Sequence, residues 1–167
     1  MRHHLGDDLS ALNLARQRAW RRLTQGAPWK RLAARLGIMH WIRGTDDTYG
    51  ANGWHPHLHV LVFTRSMGGE REQALRDLRV RWQGCVAKAL GSAHVPSSRG
   101  VDLRTCRRED YIAKLGLEIV APNTKRARGV GRTPWEVAND AAQDDAASLR
   151  LWVCYTRARK GVRQLTW

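Results

Sequence analysis

Apolar residues Leu9, Leu12, Ala15, Ala19 and Leu23 recur at helical spacing with arginines between them, so residues 9–23 are predicted to form an amphipathic helix. Gly26-Ala27-Pro28 interrupts the pattern. A shorter helix over 29–36 is predicted to end at Gly37, a residue suited to the left-handed cap position. Residues 38–48 then read as a strand, Gly50-Ala51-Asn52-Gly53 as a turn, and 55–64 as a second strand containing Val60, Val62 and Phe63, which together make a hairpin. A long helix is expected over 70–90, where Leu75, Leu78, Trp82, Val86 and Leu90 share a face and Gly91 supplies the stop. Beyond it the pattern predicts a loop at 97–100, a short strand at 101–103, and a helix over 109–119 packed through Ile112, Leu115 and Ile119. A basic loop at 124–132, a helix over 135–159 and a strand opening at 162 complete the chain. Strands separated by helices, with an antiparallel hairpin near the middle, favour an α+β fold with helices on one side of an antiparallel sheet.

Charge narrows the class of partner. The 167 residues suit a single domain, and 29 Lys and Arg against 15 Asp and Glu leave a net +14. Arginines recur from Arg16 to Arg163 rather than crowding one tail, which points to a polyanion bound along its phosphates. Cys85, Cys106 and Cys154 lack paired spacing, so neither a zinc knuckle nor a disulfide scaffold is expected. No apolar run approaches a membrane span and the N-terminus lacks a signal peptide's apolar stretch, so a cytoplasmic protein without membrane partners is expected.

The most informative string is Gly53-Trp54-His55-Pro56-His57-Leu58-His59, because alternate strand residues share a face and place three imidazoles in a row. Alternate positions lie about 6.7 Å apart, within reach of one ion, whereas His55 and His59 lie about 13 Å apart. One ion can take two neighbours, and because Pro56 gives up a ladder hydrogen bond and leaves His55 at the ragged start of the strand, His57 and His59 are the better ligand pair and His55 is assigned to DNA contact. If Asn52-Gly53 is a two-residue loop, Ala51 faces Trp54, Asp46 falls opposite His59, and Asp46 joins the histidine face while Asp47 points away. A three-residue loop would reverse that parity and promote Asp47. The plainer alternative is a solvated or base-stacking histidine face without metal. Trp54 is expected to pack at the strand entry, and His3, His4, His40 and His94 to be surface or core residues.

On the helix over 109–119, Tyr111, Lys114 and Glu118 form a polar stripe opposite the apolar one. A tyrosine so placed can present its oxygen to a substrate, and Lys114 one turn on can favour phenolate or steady a phosphate. Tyr49 and Tyr155 are expected to pack instead. Lys125, Arg126 and Arg128 of the basic loop are candidate phosphate contacts.

The histidine strand followed by a Tyr-x-x-Lys helix resembles the HUH endonuclease superfamily. Arg2-His3-His4, residues 43–50, the string from Asn52 to His59, residues 111–118 and Arg163-Gln164-Leu165-Thr166-Trp167 look like replication initiators of rolling-circle plasmids. The resemblance implies a central antiparallel sheet with a split β-α-β (ferredoxin- or RRM-like) core, flanking helices, and the metal site on the central strand. It implies Mg²⁺ or Mn²⁺ on His57, His59 and Asp46, Tyr111 as nucleophile assisted by Lys114, and nicking and joining of single-stranded DNA at a replication origin. A host helicase and polymerase would be the partners of such an initiator. Conjugative relaxases and transposases share this chemistry, and a non-catalytic nucleic-acid-binding module is the alternative from another class. Three departures stand out. Such proteins usually carry an apolar, threonine-rich strand before the Arg-His-His segment, so the single domain expected over 1–167 either lacks a strand of the sheet or is truncated at one or both ends. Asp46 stands where the family has glutamate, and Arg107 where some relatives place a glutamate that activates water.

Overall fold

The computed structural model describes residues 1–65, 71–104 and 131–167. Asp8 opens α1 (Leu9–Leu23) by accepting the Ala11 N–H at 2.8 Å, a donor that the helix start would otherwise leave open. Leu9, Leu12, Ala15, Ala19 and Leu23 are all buried as predicted, and so are Asn13 and Arg16. The second helix, α2 (Gly26–Arg35), begins earlier than expected. Pro28 falls in its first turn, where a missing N–H breaks no helical bond, so the proline is included rather than excluded. Gly37, at φ 59°, ends the helical segment as its cap position requires.

Strands β1 (Ile38–Gly50) and β2 (Gly53–Thr64) form the antiparallel hairpin. The turn differs from the expected one. A two-residue Asn-Gly loop needs positive φ at both residues, whereas only Gly53 has it, at 84°. The loop is accordingly Ala51-Asn52, with Gly50 facing Gly53, and the register moves by two residues. A shift of two preserves parity, so the face assignments survive although the opposite-residue pairs change. Gly53 is also hemmed in, because a Cβ at this position would come within 3.1 Å of the His4 carbonyl oxygen.

Helix α3 (Arg71–Leu90) follows the expected span; position 70 lies outside the described residues, and Gly91, at φ 96°, marks the end. It packs on α1 through Trp82, Cys85 and Val86 against Ala19, Trp20 and Leu23, with Trp41, Leu58 and Val60 of the hairpin closing the cluster. Each large side chain removed from water there contributes roughly 1.5–3 kcal/mol. Arg81 donates to the carbonyls of Arg22, Leu23 and Gln25 at 2.8–3.0 Å, completing the C-terminal end of α1. Residues 101–103 do not form the expected strand: the Val101 carbonyl accepts from Arg79 at 3.1 Å instead of joining a ladder.

The helix expected over 135–159 is two helices, α4 (Pro134–Ala141) and α5 (Ala146–Arg159). Asp144 takes a left-handed φ of 64° and Asp145 caps α5, so a cluster of polar residues with strong turn and cap preferences overrides helical continuity. Thr133 and Glu136 form a reciprocal capping box at the start of α4. The strand expected to open at 162 is confined to a short β3 (Leu165–Thr166), which pairs with β1 and gives the strand order β2-β1-β3. The sheet is therefore antiparallel and the protein mixed α+β. Among the described residues the histidine strand lies at the sheet's edge rather than its centre, and no parallel pair of a split β-α-β core is present. An edge position suits Pro56, which has no N–H to give a second neighbour.

Candidate functional site

The hairpin sorts its residues onto two faces. Trp41, Tyr49, Trp54, Leu58 and Val60 enter the core clusters, so α1, α3 and α5 pack on their side. Asp46, His55, His57 and His59 occupy the other face. Asp46 sits directly opposite His57, not His59, and its carboxylate lies 3.8 Å from Nε2 of His59 across the diagonal. Two ligands of one ion, each about 2.0–2.2 Å from it, can be up to about 4 Å apart, so this spacing fits a shared ion. The rings of His57 and His59 are stacked with centroids 6.4 Å apart. Among the described residues, the three ligand atoms lying within 4.8 Å of one another belong instead to His4, Asp7 and His94. His57 would have to turn its ring to join His59 and Asp46 on one ion.

His55 continues the row. Its ring lies 3.9 Å from that of His57 and stacks at 4.2 Å on His3, so His3, His55, His57 and His59 follow one another along the face. Burial, then the neighbouring His57 and His3, pushes His55 down to about 3, so it is neutral at physiological pH. As a DNA contact it would offer a hydrogen bond or a stacking face rather than a charge.

Asp47 holds the opposite side, as strand parity predicts. It is 1% exposed, with its carboxylate bonded at 2.9 Å to Arg16 of α1 and 3.5 Å from Arg159 of α5. The same Arg16 nitrogen donates to the backbone carbonyls of Asp46 at 3.3 Å and His57 at 2.9 Å. One guanidinium therefore ties together, from behind the sheet, the two residues that face each other in the site. Burial raises the Asp47 carboxyl above its ordinary range despite both arginines, and burial lowers Arg16 despite Asp47. Both directions say that desolvation exceeds the attraction, as is usual for a buried pair. The role of Arg16 escapes the motif reading, although a signal for it exists: it stands between Leu12 and Ala19 on the apolar stripe, a place that demands a buried partner.

Tyr49 and Tyr155 pack as expected: Trp54 meets Tyr49 edge-on at 5.2 Å and stacks on Tyr155 at 5.6 Å. Trp54 itself is 3% exposed. Arg132, at the end of the predicted basic loop, exchanges backbone bonds of 2.7 and 2.8 Å with Tyr49 and reaches Asp140 and Ser148. Tyr111, Lys114, Lys125, Arg126 and Arg128 lie outside the described residues. No described helix is long and apolar enough to cross a membrane.

An α+β domain displaying His-x-His and a facing carboxylate on one hairpin is the class that fold and site define. Its relatives carry the identification one step further: the chain is related to Rep proteins. Protein rep of Streptomyces lividans is 30% identical over 178 aligned positions, covering 80% of this chain and 39% of the relative. The resemblance to Rep initiators read from the motifs is thereby borne out. A neomycin resistance protein of Streptomyces cyanogenus is 37% identical over 73 residues, covering 37% of this chain and 16% of that protein. The chain thus spans well under half the length of either relative. No family model and no solved structure matches it.

Proposed function

We propose that this protein nicks and rejoins single-stranded DNA at a rolling-circle replication origin, using Tyr111 as nucleophile and a divalent ion, Mg²⁺ or Mn²⁺, held by His57, His59 and Asp46. The observation that carries the reading is the hairpin register, which sets Asp46 across from His57 and within 3.8 Å of His59 on one face of a chain related to a Rep protein. Two imidazoles and one carboxylate suit a divalent ion and leave positions open for phosphate oxygens. When bound, the ion would polarise the scissile phosphate. The Tyr111 oxygen attacks phosphorus, the bond to the 3′ oxygen breaks, and that oxygen leaves as a 3′-OH after taking up a proton. The 5′ phosphate stays on Tyr111 as a diester, so the ester bond is conserved and rejoining needs no ATP. Lys114 steadies the phosphate charge, His55 contacts the strand, and Lys125, Arg126 and Arg128 bind its backbone.

The test incubates the full chain with origin strands labelled on either side of the nick. Label from the 3′ segment should become covalently attached at Tyr111, and attachment should vanish in Tyr111→Phe. His57→Ala and His59→Ala should abolish the adduct while leaving much of the single-strand affinity. A Tyr111→Phe variant that still forms the adduct moves the nucleophile elsewhere. Wild-type protein that binds without ever forming one favours a binding module.

A further inference from the structure

The N-terminal segment meets the turn after α3 at a cluster that no local pattern in the chain announces. Asp7 and His94 are 87 residues apart, yet Oδ2 of Asp7 lies 3.2 Å from Nε2 of His94. His4 brings Nδ1 to 3.6 Å from the same oxygen, and the three ligand atoms all lie within 4.8 Å of one another. His4 is exposed and His94 part-buried, as expected of surface or core residues, and folding brings the two together beside Asp7. Backbone contacts hold the cluster in place. The His4 N–H donates to Oδ2 of Asp7 at 2.7 Å, Gly6 turns the chain at φ 95°, and the Arg2 N–H donates to the His94 carbonyl at 2.9 Å.

We propose that His4, Asp7 and His94 form a second metal site, taking a zinc-class ion that clips the N-terminal segment to the turn after α3. Ligands about 2.0–2.2 Å from a tetrahedral ion stand about 3.3–3.5 Å apart, and the two measured separations, 3.2 and 3.6 Å, bracket that edge. Two imidazoles with one carboxylate are a ligand set that Zn²⁺ accepts at these distances, and the near-tetrahedral edges are what single out a zinc-class ion here. Binding would displace any proton between Asp7 and His94. The consequence reaches the nearby face: His3, adjacent to His4, stacks on His55, whose ring lies against that of His57. An ion on His4 therefore fixes the end of the imidazole row without taking part in it.

This second site is independent of the nicking chemistry, and it is tested with the other histidine site silenced. Full-length His57→Ala/His59→Ala protein, stripped with chelator, is titrated with Co²⁺ as a spectroscopic stand-in for Zn²⁺, with thermal unfolding followed alongside. One equivalent should bind, give visible ligand-field absorption and raise the melting temperature. His94→Ala and His4→Gln, each added to that background and checked for folding by circular dichroism, should weaken binding at least about 100-fold, since outer-shell changes alone cost 10–100-fold. Absence of Co²⁺ binding by the folded background protein, or an affinity unchanged by both added substitutions, overturns the proposal.

Discussion

Asp47 places one carboxylate between the guanidiniums of Arg16 and Arg159, so Asp47→Asn leaves two buried cations facing an amide. Removing one partner of a buried pair costs about 3–5 kcal/mol, and with two cations uncompensated the upper part of that range applies. At about 2–4 °C per kcal/mol for a domain of this size, the melting temperature should fall by about 8–20 °C. Arg16→Met should cost less, because one carboxylate then still meets one guanidinium, although the Asp46 and His57 carbonyls lose their shared donor. The decisive variant is the double one. Arg159→Met added to Asp47→Asn removes a stranded charge, so the pair should be more stable than Asp47→Asn alone even though Arg159→Met destabilises the wild type. Urea and thermal unfolding of the wild type, both single variants and the double variant close the cycle. An Asp47→Asn protein within about 1 kcal/mol of wild type, on the scale of a surface substitution, would refute the reasoning, as would simple additivity.

Neutralising Lys125, Arg126 and Arg128 should flatten the plot of log affinity for single-stranded DNA against log salt by up to about 2, at about 0.7 for each phosphate no longer neutralised. An unchanged slope would leave the loop as a solvated linker. Thr133→Ala removes the capping box of α4 and should cost about 1 kcal/mol, read as a drop of about 2–4 °C in melting temperature. The Ser148 hydroxyl, then the Ala147 N–H, holds the Asp145 carboxyl below its ordinary value. A lowered folded-state value means that this stabilisation is present above the unfolded value and is lost as pH falls through the folded one. Asp145→Asn should therefore weaken the acid dependence of the melting temperature, and an identical acid profile would count against the cap.

Structure is legible in this chain where one interaction dominates. The α1 stripe can be read because Leu9, Leu12, Ala15, Ala19 and Leu23 answer to burial alone. The histidine face can be read because strand parity is insensitive to a register shift of two, so Asp46 keeps its side even though its partner is His57 rather than His59. Expectation and structure part where two local preferences compete. Pro28 could break a helix or begin one, and the run Gln143-Asp144-Asp145 could continue a helix or restart it. Contacts made only by tertiary folding are out of reach: nothing near His94 in the chain announces Asp7, and nothing near Asp47 announces Arg159. Arg16 is the intermediate case, visible as a charge in an apolar stripe but without a visible partner.

The reach of Arg16 through the sheet also bears on how such a hairpin can be moved between proteins. Transplanting Gly53 to His59 with its partner strand would carry the imidazoles and Asp46 but leave behind the donor that holds their backbones from below. A recipient scaffold would need a helix presenting an arginine at the same depth. The unit of inheritance is thus the hairpin together with its first helix, and Arg16 is the seam between them.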